Sequence, residues 1–163
     1  MNKKIVLLLS GILSLVSISA ISQDDTAAIK AVIEKETNSF FNVNRKDWED
    51  VWLHVPYAYW SYSDSTGTNF VEGWEAINKS FNDYFTTQVS NRQIDVAKQS
   101  GVTIERTFKE FRIYGSGAFV QYTQEVKNSK IHYDQTSQIR ILEKKGGKWK
   151  IVSVNVIAKY PKE

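Results

Sequence analysis

Gly146-Gly147-Lys148-Trp149-Lys150-Ile151-Val152 is the stretch on which the fold turns: two glycines suited to a tight reversal, then a run in which apolar and polar residues alternate. Working backward, the same arrangement recurs. From Val102 onward the apolar period is two, and turn residues stand at Gly115-Ser116-Gly117, Asn128-Ser129-Lys130 and Gly146-Gly147. These spacings delimit four strands of about ten residues each. They predict an antiparallel meander, because short turns join only antiparallel neighbours. The alternation slips between Ile104, Phe108 and then Phe111, Ile113, which predicts a β-bulge that bends the sheet.

Ahead of the meander the period is helical. Ile29, Val32, Ile33, Phe40 and Val43 fall on one face of a helix from about Asp25 to Asn44, with Glu36 in the middle of that stripe. A shorter helix is predicted over Lys46 to Leu53, with Asp47 as cap and Trp48, Val51 and Trp52 at i, i+3 and i+4. Pro56 ends it. Tyr57 to Ser63 is rich in aromatics and runs into Asp64-Ser65-Thr66-Gly67, so it reads as a strand entering a turn. From Gly73 to Gln88 the helical period returns, with Trp74, Ile77, Phe81, Tyr84 and Phe85 on one face. Residues 89–101 carry little periodicity and read as a loop or a weak edge strand. Helices first and a meander afterward predict an α+β fold, in which N-terminal helices pack across the concave face of a cone-shaped, curved antiparallel sheet.

Met1-Asn2-Lys3-Lys4 followed by the apolar run from Ile5 to Ala20 has the charged start and hydrophobic middle of a secretory signal peptide. The run is too short for a comfortable membrane span, and Ala20-Ile21-Ser22 predicts cleavage before Gln23. Residues 1–22 are therefore expected to be a signal peptide and residues 23–163 a single domain, exported to the periplasm or beyond and without a stable membrane anchor. The full chain of 163 residues carries a net charge of +3, but the mature part loses Lys3 and Lys4 and falls to about +1. No Lys/Arg cluster is present, which argues against nucleic acid as a partner. The absence of cysteine excludes disulfides, thiolate metal sites and a cysteine nucleophile. His54 and His132 lack ligand spacing for zinc, and neither a Gly-x-Ser-x-Gly elbow nor a phosphate-binding glycine loop occurs, so no metal or cofactor is expected.

Glu36 is the sharpest candidate, because its phase puts a carboxylate between Ile33 and Phe40. Burial there would suit a general acid or base; the alternative is a structural carboxylate bonded to tyrosine, tryptophan or backbone groups. His54, among aromatics between the short helix and the first strand, is the second catalytic candidate, against a histidine bonded to a loop carbonyl. Trp52, Tyr59, Trp60 and Trp74 are candidates to stack on a planar ligand, although the aromatics equally serve to fill a core. Tyr57 and Tyr59 point opposite to Trp60 and Tyr62, and the sequence does not say which set faces inward. On the meander Ala118, Val120, Tyr122, Gln124 and Val126 share the face expected to look toward the helices. That makes Tyr122 and Gln124 polar groups on an apolar wall. Gln135 runs in phase with Ser137, Ile139 and Ile141, and Asn155 with Trp149 and Ile151, so both join the candidate lining.

The order of elements, the Gly73-Trp74-Glu75-Ala76-Ile77 helix start and the closing Gly146-to-Val152 strand together resemble the nuclear-transport-factor-2-like superfamily, and more narrowly the exported SnoaL-like proteins of bacteria. The resemblance covers nearly all of residues 25–160. It implies a cone-shaped pocket whose lining does the work, a His54 region near the pocket mouth, a polar pocket residue at the Asn155 position, and frequent dimerisation. It does not single out an activity, because the superfamily holds isomerases, dehydratases, epoxide hydrolases, polyketide cyclases and non-catalytic proteins. Three functions are therefore expected to compete. The first is an exported protein that binds a small apolar or aromatic molecule. The second is a cofactor-free acid/base enzyme of isomerase, dehydratase or cyclase type using Glu36. The third is a homodimeric interaction module.

Overall fold

The computed structural model describes residues 17–90, 102–127 and 132–158. Its elements are α1 (Ser17–Phe41), α2 (Arg45–Asp50), β1 (Tyr59–Asp64), β2 (Gly67–Glu72), α3 (Trp74–Ser90), β3 (Thr103–Tyr114), β4 (Gly117–Lys127), β5 (His132–Lys145) and β6 (Lys148–Ala158). The six strands form one sheet in the order β2-β1-β6-β5-β4-β3. This is the α+β architecture expected, with three helices ahead of the meander. Most of the 89–101 segment lies outside the described residues, as does the Asn128-Ser129-Lys130 turn.

All neighbouring strands are antiparallel except β1 and β6, which run parallel. That pair closes over the longest sequence separation in the sheet, so no turn dictates its direction. β6 is thereby bonded on both sides and carries four consecutive buried residues, Ile151 to Val154. Gly146 and Gly147 both take positive φ in the two-residue loop before it, a conformation glycine adopts without steric cost. β2 was not anticipated. Its six residues are mostly exposed and form an edge hairpin with β1, in which the Asp64 Oδ1 accepts from the Thr66 amide at 2.8 Å.

α1 begins earlier than its apolar stripe suggests and ends in a Schellman arrangement. The Asn44 amide donates to the Ser39 carbonyl at 2.8 Å and the Val43 amide to the Phe40 carbonyl at 3.1 Å, with Val43 at φ 55. Asn44, instead of Asp47, then caps α2 by accepting the Asp47 amide at 3.2 Å. Arrival of α2 at the sheet is fixed by backbone: the Ile151 amide donates to Val51 and the Leu53 amide to Ile151, each at 2.8 Å.

Helices and sheet meet in an aromatic core. Trp48 stacks on Phe81 at 4.6 Å and lies 5.7 Å from Trp52 and 6.0 Å from Trp74. Ile29, Ile33, Ile77, Leu142 and Ile151 complete it without exposure. Besides a register shift between β4 and β5 at Gln124 and Val126, two irregularities shape the sheet. The first, at Lys109 between Phe108 and Glu110, is the bulge the sequence predicts. The second lies where Ile141 pairs with Ser153 but Leu142 with Ile151, leaving Val152 as an extra residue on β6.

At the other end of the domain Asp25 fastens α1 to the β5–β6 hairpin. Its Oδ1 accepts from Lys144 Nζ at 2.6 Å and from Trp149 Nε1 at 2.8 Å. Those bonds, Lys144 first, hold its carboxyl below the ordinary value of 3.8. A depressed folded-state value means that the carboxylate stabilises the fold above about pH 3.8 and loses that effect as pH falls through the lowered value. Asp25→Asn should therefore melt at lower temperature than wild type at neutral pH, with the gap closing in acid. Thermal melts followed by circular dichroism across pH check this, and a gap that persists undiminished into strong acid would remove the carboxylate from the explanation.

Candidate functional site

The inner face of β3, β4 and β5 presents side chains in rows set by the register. Tyr122 pairs with Phe108 on one side and Gln138 on the other, Gln124 with Arg106 and Thr136, and Val120 with Phe111 and Arg140. The apolar face expected of β4 is thus confirmed as the inner one. β5 reverses its expectation: Thr136, Gln138, Arg140 and Leu142 face inward, while Ile139 and Ile141 face out, Ile141 with 43% exposure.

An arginine on the inner wall is tolerable only with a partner, and α1 supplies it. Arg140 Nη2 donates to Glu36 Oε2 at 3.1 Å, with the two side chains 3% and 8% exposed. The Thr37 hydroxyl lies 3.1 Å from the same oxygen and 3.2 Å from the Ile33 carbonyl. From Arg140 a chain of bonds crosses the wall. Arg140 Nη1 donates to Gln138 Oε1 at 2.9 Å, Gln138 Nε2 to Thr136 Oγ1 at 2.7 Å, and Thr136 Oγ1 to the Gln124 carbonyl at 3.2 Å. Arg106 Nε donates to Gln124 Oε1 at 2.9 Å. The Arg140 guanidinium also lies over the Tyr122 ring, 5.5 Å from its centroid.

Three groups in this lattice have no partner: the Tyr122 hydroxyl, Arg106 Nη2 and Arg140 Nε. Burial pushes the Tyr122 phenol up to about 12, so it stays protonated and able to donate. Burial likewise pulls the Arg106 guanidinium below its ordinary value. Among the described residues, two guanidinium groups thus share the wall with one carboxylate, that of Glu36.

Of the residues singled out from sequence, Glu36, Tyr122 and Gln124 meet in this lattice. Trp52 and Trp74 belong to the aromatic core, and Trp60 is half-buried, edge-on to Phe81 at 5.3 Å. Trp60 and Tyr62 are therefore the inward set on β1. Tyr59 faces the other way, stacked on Phe70 at 6.1 Å. Asn155 is also turned outward, because the extra residue Val152 reverses the phase of β6. Its Oδ1 accepts from Ser61 at 2.9 Å and its Nδ2 donates to Ser153 at 2.9 Å. Gln135 precedes inward-facing Thr136 and falls in phase with Ile139, off the inner wall. His54 is exposed at the foot of α3, stacked on Trp74 at 4.0 Å with Nε2 3.2 Å from the Glu49 carbonyl. It does not approach Glu36's lattice.

Sequence reasoning missed Arg106, Gln138 and Arg140. A signal for them existed: a carboxylate inside an apolar helical stripe asks for a cation, and only alternate positions of the meander offer one. An open cleft of about 410 Å³ lies elsewhere, along the outer side of α1 between Ala31 and Asn42. Among the described residues no group of three His, Asp or Glu side chains converges as a metal site, and no helix is long and apolar enough to cross a membrane.

No family model matches the sequence, and no curated protein is significantly similar to it. Solved structures are similar in fold. A nuclear-transport-factor-2-like protein of unknown function from Shewanella oneidensis superposes with a TM-score of 0.61 at 13% identity, over 82% of this chain and 98% of that one. A second such protein with a cystatin-like fold, from Novosphingobium aromaticivorans, gives 0.61 at 11% identity over 93% and 94%. A candidate scytalone dehydratase from the same organism gives 0.62 at 10% over 88% and 89%. The chain has the nuclear-transport-factor-2-like, cystatin-like fold.

The Glu36–Arg140 pair makes a strong energetic prediction. Removing one member strands a buried charge, at about 3–5 kcal/mol, whereas replacing both with apolar groups of similar size is often neutral. Glu36→Leu should therefore lower unfolding stability in urea by about that amount, and Glu36→Leu with Arg140→Met should recover most of it. Equal losses in the single and double variants would show that the pair is not coupled.

Proposed function

We propose that this protein binds a small molecule inside the cone, against the wall formed by Arg106, Tyr122, Gln124, Gln138 and Arg140. The observation that carries the reading is the set of buried polar groups left without partners there, since buried polar groups in folded proteins are nearly always satisfied. An aromatic rim of Phe108 and Phe111, 5.1 Å apart and beside Tyr122, supplies apolar contact next to the polar groups. The acid/base alternative, of the isomerase or dehydratase kind, asks Glu36 to act as a base. Its carboxylate is already engaged by Arg140 and Thr37, which favours binding over proton transfer.

Export belongs to the same reading, supported by the lysines at positions 3 and 4 and the apolar run to Ala20. Cleavage before Gln23 would leave Asp25 and its two bonds on the mature chain. Native mass spectrometry of protein purified from its own host should show a mass beginning at Gln23 and a stoichiometric adduct. Tyr122→Phe, which removes one hydroxyl, should weaken that adduct about three- to tenfold. Ligands that bind this variant and Gln138→Leu as tightly as wild type would place the site elsewhere.

A second reading concerns the outer sheet face, where Phe70, Ile141 and Ile157 are 59%, 43% and 44% exposed beside half-buried Phe119 and Ile139. A solvated face of an antiparallel sheet ordinarily carries polar residues. A second copy of the chain, seated sheet to sheet, would cover these side chains as the superfamily resemblance implies. Sedimentation should then report a dimer, converted to monomer by Ile141→Lys with Ile157→Lys while the circular dichroism spectrum is kept; a monomeric wild type would end this reading.

A further inference from the structure

Among the described residues, every unpartnered group on the cone wall is a hydrogen-bond donor. Arg106 Nη2 and Arg140 Nε can only donate, and the Tyr122 hydroxyl, held protonated, has a proton to give. Three accepting side-chain atoms there are already taken: Glu36 Oε2 by Arg140, Gln138 Oε1 by Arg140 and Gln124 Oε1 by Arg106. The wall is also short of negative charge. Arg140 has Glu36 in direct contact, whereas Arg106 bonds the neutral amide of Gln124 and adjoins the Tyr122 phenol, with no carboxylate bonded to it among the described residues. Surplus donors and a surplus positive charge lie within one patch, because Arg106 and Arg140 sit one register step to either side of the row that holds Tyr122.

A neutral apolar molecule would leave all of this unsatisfied. A planar oxyanion answers it, since a carboxylate brings two acceptor oxygens and the missing charge and matches the guanidinium fork. The rings of Phe108 and Phe111 flank the same patch, with Phe108 5.4 Å from Tyr122, and give a flat apolar body something to lie against. Lys30 reaches over both rings, 5.0 and 5.4 Å from their centroids, and adds positive potential at the rim.

We propose that the ligand class of this site is an aromatic carboxylate, its carboxylate received by Arg106 and the Tyr122 hydroxyl and its ring seated on Phe108 and Phe111. This rests on the small-molecule reading above and goes beyond it by fixing charge and shape. Arg106 is the selecting residue. No carboxylate among the described residues bonds it directly, so it can be changed without stranding another charge.

Titration calorimetry of the mature protein with benzoate and with benzamide, which keeps the ring and removes the charge, tests the assignment. Benzoate should bind about tenfold or more tightly than benzamide, the difference that one charge-assisted contact supplies. Arg106→Gln should abolish that preference. Arg106→Lys should restore it in part, keeping charge without the fork, and serves as the folded control if Arg106→Gln is unstable. Equal binding of the two probes to wild type, or a benzoate preference that survives Arg106→Gln, overturns the carboxylate assignment and leaves the small-molecule reading standing. Failure of benzoate to bind wild type overturns it as well, and the adduct experiment then decides separately whether the cone binds anything.

Discussion

A guanidinium inside a protein has to meet a negative charge, and in this domain that demand falls on Arg140. Taking such an ion from water costs several kcal/mol, which only close, well-bonded company offsets. Glu36 provides it from α1, 104 residues away in sequence. Much of the architecture follows from that contact. α1 must lie across the middle of β5, with the phase that brings Glu36, and hence Ile29 and Ile33, onto the sheet. Since side chains alternate along a strand, turning Arg140 inward turns Ile139 and Ile141 outward. The polar interior and the apolar exterior of this sheet are one fact seen from two sides.

That fact also explains which parts of the sequence were readable. Element order, the inner face of β4 and the bulge near Phe108 were legible because each is written in local periodicity, and in β4 the apolar phase and the inner phase coincide. In β5 they do not. An apolar rule picks Ile139 and Ile141 for the core, and only the charge balance with Glu36 reverses it. β6 hid its irregularity for a different reason: the extra residue, Val152, is itself apolar and buried, so the strand looks continuous while its phase flips beneath Asn155. β2 escaped because its apolar residues, Phe70 and Val71, are adjacent instead of alternating. Glu36 announced itself as misplaced in an apolar stripe, but nothing local could say that its partner stood on the third strand of the meander.

The tryptophans teach the complementary point. Trp52 and Trp74 looked like ligand-stacking rings, yet they pack against each other and against Trp48, which stacks on Phe81, filling the space where α2 and α3 meet β6. A chain without disulfides has to find its stability in packing, and large rings bury the most area per residue. Rings committed to that task are poor ligand contacts, because removing them opens a cavity in the core.

Stability and chemistry are therefore held at different places in the same cone. The α2–α3 side is dry, aromatic and anchored to β6 by backbone bonds at Ile151. The β3–β5 side carries the arginines, the phenol and the amides, tied to one another but not fully satisfied. Each unmet donor costs about 1–3 kcal/mol when water is excluded, a cost the aromatic side also bears at Trp48 Nε1, Trp52 Nε1 and Arg45 Nε. The shortage of acceptors persists on this wall because Glu36 meets the largest single cost, the Arg140 charge. What is left over is a modest set of donors on one wall, and a surface with that imbalance discriminates by charge before it discriminates by shape.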